Sequence, residues 1–136
     1  METFTDAQFR EILAQQRIGV VGCSSTPGKD AHEVPNYLLE QGYEIVPINP
    51  TAEEIFGLEA YDSLSAVDRQ LDIVNVFRPS EELPEIADAF LARDDANVLW
   101  TQLGICDDEV AERVERAGRI MVQDRCIKVE HRRQFG

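Results

Sequence analysis

Five short apolar stretches recur along the chain, and most of the segments between them carry helical spacing. RIGVVG (17–22), YEIVPI (43–48), LDIVNVF (71–77), NVLWT (97–101) and RIMVQ (119–123) are short and rich in β-branched residues, so they read as strands. Ahead of the first, Thr5 and Gln8 form a capping-box pair for a helix whose inner face is Phe9, Ile12 and Leu13. A helix over 31–41 places Val34, Tyr37 and Leu38 on one stripe and stops at Gly42. Ser80 is placed to cap a third, with Pro84 in its first turn and Leu83, Ile86, Ala87, Phe90 and Leu91 facing inward. A fourth, over 107–117, carries Val110, Val114 and Ala117 and ends at Gly118. Between the second and third strands, NPTAEEIFGLEAYDSLSAV is irregular. Strands alternating with helices of about 10–15 residues imply parallel pairing through right-handed βαβ crossovers. The expectation is an α/β fold, a doubly wound parallel five-stranded sheet with helices on both faces, in one domain over residues 1–136.

Charge narrows the partners. Lys and Arg number 13 against 26 Asp and Glu, a formal net charge of −13 that repels nucleic acid and anionic membranes. Apolar runs of about six residues fall far short of the ~20 needed to span a bilayer. METFTDAQF lacks the basic and apolar regions of a signal peptide, so the expected location is cytoplasmic. Only Lys29 and Lys128 are lysines, and an acidic, lysine-poor surface suits a high-salt, halophilic setting in which self-repulsion is screened. Cys23, Cys106 and Cys126 are odd in number and show no CxxC spacing, which argues against a disulfide framework or a zinc site.

Ligands of doubly wound sheets bind beyond the carboxyl ends of the strands, where the strand order reverses. That edge gathers Gly22–Ser25, Asn49-Pro50, Phe77-Arg78, Thr101–Gly104 and Asp124–Cys126. The first loop, VVGCSSTPGKD, fits neither familiar phosphate pattern. Aligning Gly22 with the first glycine of GxGxxG puts Ser24 and Pro27 where the others belong, and Asn49-Pro50 replaces the acid that holds a ribose. Five residues separate Gly22 from Gly28, where a Walker A loop has four, and Asp30 follows Lys29 in place of Ser or Thr. Small residues, three hydroxyls and a following helix N-terminus nevertheless suit an anion held by backbone N–H groups. An ordinary strand-to-helix turn has the same composition, and both readings stay open. Lys29 is either a phosphate ligand or a solvated loop lysine, and Arg78 is either a ligand contact or a partner of Glu81 or Glu82.

Four stretches, VVGCSSTPGKDAHEVPNYLLEQGYEIVPINPTAEEIFG, VNVFRPSEELPEI, WTQLGICDDEVAERVERAG and VQDRCIKVEHRR, occur in the order and spacing of the small stand-alone coenzyme A-binding proteins. Over about residues 10–133 the chain also resembles the CoA-binding domain of the succinyl-CoA synthetase alpha subunit. The resemblance implies a Rossmann-like sheet of strand order 3-2-1-4-5. It implies that Gly22, Cys23, Ser24 and Ser25 wrap the pyrophosphate of coenzyme A and that Lys29 adds charge. Asn49, Pro50 and Thr51 would border the nucleotide, Phe77 and Arg78 the adenosine end, and Gln102, Leu103 and Gly104 the pantetheine path. Family members often carry alanine where this chain has Cys23. The synthetase's phosphohistidine lies in a domain outside the resemblance, and His32 and His131 are the only histidines here. The expected role is binding CoA or an acyl-CoA without catalysis. An NAD(H)- or other nucleotide-binding sensor and a small CoA-dependent enzyme are the alternatives. The tail RCIKVEHRR either draws CoA phosphates or is a frayed end offsetting the acidic surface; Trp100 is expected in the core.

Overall fold

The computed structural model describes residues 4–136; Met1–Thr3, the start of the stretch read for a leader, lie outside the described residues. Helix α1 (Asp6–Leu13) leads into β1 (Arg17–Val21), α2 (Asp30–Glu40) and β2 (Glu44–Ile48). A two-residue hairpin (Glu54–Ile55 with Leu58–Glu59) and a 3-10 turn (Leu64–Ala66) follow. Then come β3 (Ile73–Val76), α3 (Leu83–Leu91), β4 (Val98–Thr101), α4 (Asp108–Arg116), β5 (Ile120–Val122) and α5 (Ile127–Phe135). Local signals explain the ends. The Thr5 hydroxyl accepts from the Gln8 N–H at 3.1 Å while Gln8 Oε1 accepts from the Thr5 N–H at 2.8 Å. Ser80 does not cap α3; it opens a 3-10 turn, Ser80–Glu82, and its hydroxyl accepts from the Cys106 N–H at 3.0 Å.

All five main strands are parallel, and alternate residues divide the core between the two faces of the sheet. Ile18, Val20, Ile73, Trp100 and Val122 pack with α1, α2 and α5, whereas Val21, Val74, Val76, Leu99 and Met121 pack with α3 and α4. Trp100 is fully buried, and its indole N–H donates to the Arg125 carbonyl at 2.8 Å. The fold is the expected Rossmann-like α/β sheet.

The order along that sheet is β2-β1-β3-β4-β5, not 3-2-1-4-5: the third main strand pairs with β1 on its inner side instead of lying outside β2. Pro47 suits this order. Its carbonyl accepts from the Tyr61 N–H at 3.0 Å on the outer side of β2, where the missing proline N–H would also point. Pairing with β1 therefore loses nothing, while an outer strand would find no donor at Pro47. Asn49 N–H donates to the Tyr61 carbonyl at 2.8 Å, and this short bridge closes the edge before the chain returns across β1.

The basic tail is a helix and not a frayed end. α5 packs against α1 and α2, burying Ile127, Glu130 and His131. Several of its charges have local partners: Glu130 pairs with Arg125 at 3.3 Å and Arg133 at 3.2 Å, and the Lys128 ammonium lies 5.2 Å from the Tyr37 ring centroid. No helix among the described residues is long and apolar enough to cross a membrane.

Candidate ligand-binding cleft

The carboxyl ends of β1 and β3 lie side by side, and the chain leaves them toward opposite faces, into α2 and α3 respectively. This is the topological switch point of the sheet. A cleft of about 740 Å³ opens there. Gly22, Cys23, Ser24, Lys29, Asn49, Pro50, Thr51, Phe77 and Arg78 all line it. Ser25 is exposed just beyond. The structure does not bring Gln102, Leu103 and Gly104 into this cleft, because β3 stands between β1 and β4. Gln102 is buried, its Oε1 accepting from Asn75 Nδ2 and the Ile127 N–H, each at 3.1 Å. Leu103 is exposed at the loop tip, and the Gly104 N–H donates to Asp124 Oδ1 at 2.7 Å. A smaller hollow of about 490 Å³ at the amino-terminal edge, beside Asn97, Arg119 and Ile120, meets none of the expected ligand residues.

Two features shape the first loop. Gly22 has φ +86°, and a Cβ there would stand 2.8 Å from Arg78 Cδ and 3.2 Å from its Cγ. The arginine stem thus lies directly on the loop backbone, an approach that only glycine permits. The second feature is Pro35, the sixth residue of α2. Having no N–H, it withholds the helical donor from the Ala31 carbonyl, which accepts instead from the Ser24 N–H at 2.9 Å. The proline therefore ties the loop to the first turn of the helix that follows. Thr26 N–H donates to Ser24 Oγ at 3.0 Å, and Gly28 N–H to Glu33 Oε2 at 3.2 Å. That amide, with His32 beside it, holds the Glu33 carboxyl below its ordinary range. The N-cap residue Lys29 makes no side-chain capping bond.

Asn49 is the staple between two walls. Its Nδ2 donates to the Cys23 carbonyl at 2.9 Å, and its Oδ1 accepts from the Thr51 N–H, the Thr51 hydroxyl and the Ala52 N–H at 2.8, 2.9 and 3.1 Å. The Oδ1 closes an Asx turn and Nδ2 ties the first loop to it. Cys23 is fully buried, and burial pushes its thiol up to about 12, which keeps it un-ionised at neutral pH. Cys106 is exposed and Cys126 partly buried.

The opposite wall was not evident in the sequence. It comprises the Asp62–Ser65 segment and the α3 side of the cleft, with Glu82, Glu85, Ile86 and Ala89. Arg93 braces it from behind: its guanidinium donates to the carbonyls of Leu64 (3.2 Å), Val67 (2.9 Å) and Arg69 (2.7 Å), and pairs with Asp95 at 2.8 Å. Burial raises the Asp95 carboxyl, but the guanidinium and the Leu71 and Ala96 N–H groups outweigh it and hold the group near about 2. On the cleft itself Arg78 forks onto Glu82, Nε to Oε1 at 3.1 Å and Nη2 to Oε2 at 2.7 Å. One side of the cleft thus offers hydroxyls, a cation and the N-terminus of α2, the other a partly apolar surface edged with carboxylates. Among the described residues no cluster of His, Cys, Asp and Glu is placed to hold a metal.

Comparison with known proteins follows the same lines. The chain is 43% identical over 132 residues to the uncharacterized protein YneT of Bacillus subtilis, covering 96% of this chain and 97% of that one. A hypothetical protein from Pyrococcus horikoshii OT3 superposes with a TM-score of 0.93 at 34% identity, with both chains covered completely. An 81-residue region is 28% identical to the ADP-forming acetate–CoA ligase of Methanocaldococcus jannaschii, 60% of this chain but only 12% of the ligase. The family described as CoA binding domain matches residues 16–132, and the chain belongs to that family.

Proposed function

We propose that the cleft between α2 and α3 holds coenzyme A or an acyl-CoA, and that the protein, acting as one unit over residues 1–136, contributes binding and no chemistry of its own. The observation that carries this reading is the position of the Gly22–Lys29 loop. It opens the cleft at the switch point, with the N-terminus of α2 behind it, a lysine at its end and Arg78 across it. A diphosphate suits the N-terminus of α2, the hydroxyls and this positive charge despite the net charge of −13, because short-range attraction outweighs a screened distant field. The 740 Å³ of space and the apolar faces of Phe77, Ile86 and Ala89 suit the rest of a nucleotide with an amide arm. Asn49 and Pro35 position the loops in this reading; Gln102 and Gly104 support the neighbouring turn.

The test is calorimetry with coenzyme A, dephospho-coenzyme A, NAD and ATP in parallel, alongside mass spectrometry of the small molecules released by heating the purified protein. Coenzyme A binding in preference to NAD and ATP is expected. Lys29→Ala should weaken it about tenfold or more, the value of one charge-assisted contact. Preferential binding of NAD or ATP would replace this reading with a nucleotide sensor, and turnover of an acyl-CoA would replace it with an enzyme.

A further inference from the structure

The arginine nearest the loop is already occupied. Arg78 lays its Cγ and Cδ over Gly22, so its stem is anchored where an anion on the loop would sit closest. Its guanidinium, however, is turned to Glu82, in a two-bond fork at 3.1 and 2.7 Å. Both side chains line the cleft, and both are close to half exposed. An ion pair of this exposure is weak, because water screens it and its side-chain order costs entropy. A diphosphate, with more charge and more acceptor oxygens than one carboxylate, competes for the same donors.

We infer that Arg78 and Glu82 form an exchangeable clasp, in which Glu82 holds the guanidinium until an anion on the Gly22 loop takes it over. Glu82 thereby sets the threshold for anion binding. The carboxylate is a built-in competitor, and its position four residues from Arg78, just ahead of α3, keeps the released guanidinium within reach of the loop. The clasp deepens the proposed function and rests on the same cleft, but it depends only on an anion at the loop and not on which cofactor carries it.

The experiment is a double-mutant cycle on the full chain, titrating inorganic pyrophosphate and coenzyme A at fixed ionic strength into wild type, Glu82→Gln, Arg78→Gln and the double variant. Glu82→Gln is expected to tighten pyrophosphate by about threefold to tenfold, as loss of a weak competing ion pair allows. Arg78→Gln should weaken it, and adding Glu82→Gln to Arg78→Gln should then change affinity by less than about twofold. An equal gain from Glu82→Gln in both backgrounds would show a through-space charge effect and overturn the clasp. So would no gain, or no pyrophosphate binding by any variant. Wild type that binds pyrophosphate with this pattern but not coenzyme A would remove the cofactor reading and leave the clasp. Coenzyme A binding with no effect of Glu82→Gln would do the reverse.

Discussion

Replacing Pro35 with alanine sets two bonds in competition for one carbonyl. In the native structure Ala31 lacks its helical donor, because residue 35 has no N–H, and the Ser24 N–H fills the place at 2.9 Å. Pro35→Ala supplies the missing amide and removes the ring that pushes the Ala31 carbonyl away from the helix axis. A proline inside a helix costs roughly 3 kcal/mol in an isolated setting, so α2 gains from the change. Against that, the buried ring loses apolar contact of about 1–2 kcal/mol, and the melting temperature should move by only a few degrees. The loop carries the decisive signal. A backbone hydrogen bond nets about 0.5–1.5 kcal/mol, so weakening the Ser24 bond should speed exchange of that amide by about twofold to tenfold. The new amide at position 35 should be protected, and anions should bind the loop less tightly by a similar factor. Amide hydrogen exchange followed by NMR, with pyrophosphate titration on the same sample, measures all three. Unchanged Ser24 exchange together with unchanged affinity in a folded Pro35→Ala protein would refute the idea that the proline positions the loop.

Other perturbations read other parts of the molecule. Asn49→Ala removes the donor to the Cys23 carbonyl and the acceptor of the Thr51 and Ala52 amides, and should cost about 2–3 kcal/mol in urea unfolding. Gly22→Ala forces a side chain into left-handed backbone and against Arg78 Cδ; it should cost about 1–2 kcal/mol, several degrees in melting temperature, and adding Arg78→Ala should recover only the steric part. His131 packs between the rings of Tyr37 and Tyr43 and shares a 2.7 Å hydrogen bond with the Tyr37 hydroxyl; burial lowers its pKa below the ordinary 6.5. The unfolded chain then holds the proton more tightly, so this contribution to stability is complete above about 6.5 and falls as pH drops through that value toward the native one. Urea midpoints between neutral and mildly acidic pH should fall more steeply in wild type than in His131→Gln.

Much of the architecture was legible because it is written locally. The Thr5–Gln8 box, the apolar stripes of α1 and α3 and the glycine stops at 42 and 118 depend on neighbours a few residues away. The small residues after the first strand are read just as locally, and nine of the residues expected at the strand ends line one cleft. The strand order was not, although Pro47 carried the signal: proline belongs on an edge strand, and β2 is one. Gln102–Gly104 follow β4, which β3 separates from β1, and they lie outside this cleft. α5 was hidden in a charge run because two of its three buried residues, Glu130 and His131, are polar. They suit a core only when Arg125, Arg133 and Tyr37 come to them from other parts of the chain or the next turn.

By itself, the sequence determined that parallel strands alternate with helices and that small residues, a lysine and a helix N-terminus follow the first strand. Those properties are set by spacing along the chain. Only the tertiary structure decided which strand ends are neighbours, that Arg78 lies across Gly22, and that Arg93 braces the far wall. The physical reason is that such contacts join residues far apart in the chain, and their existence depends on a strand order that side-chain periodicity does not encode.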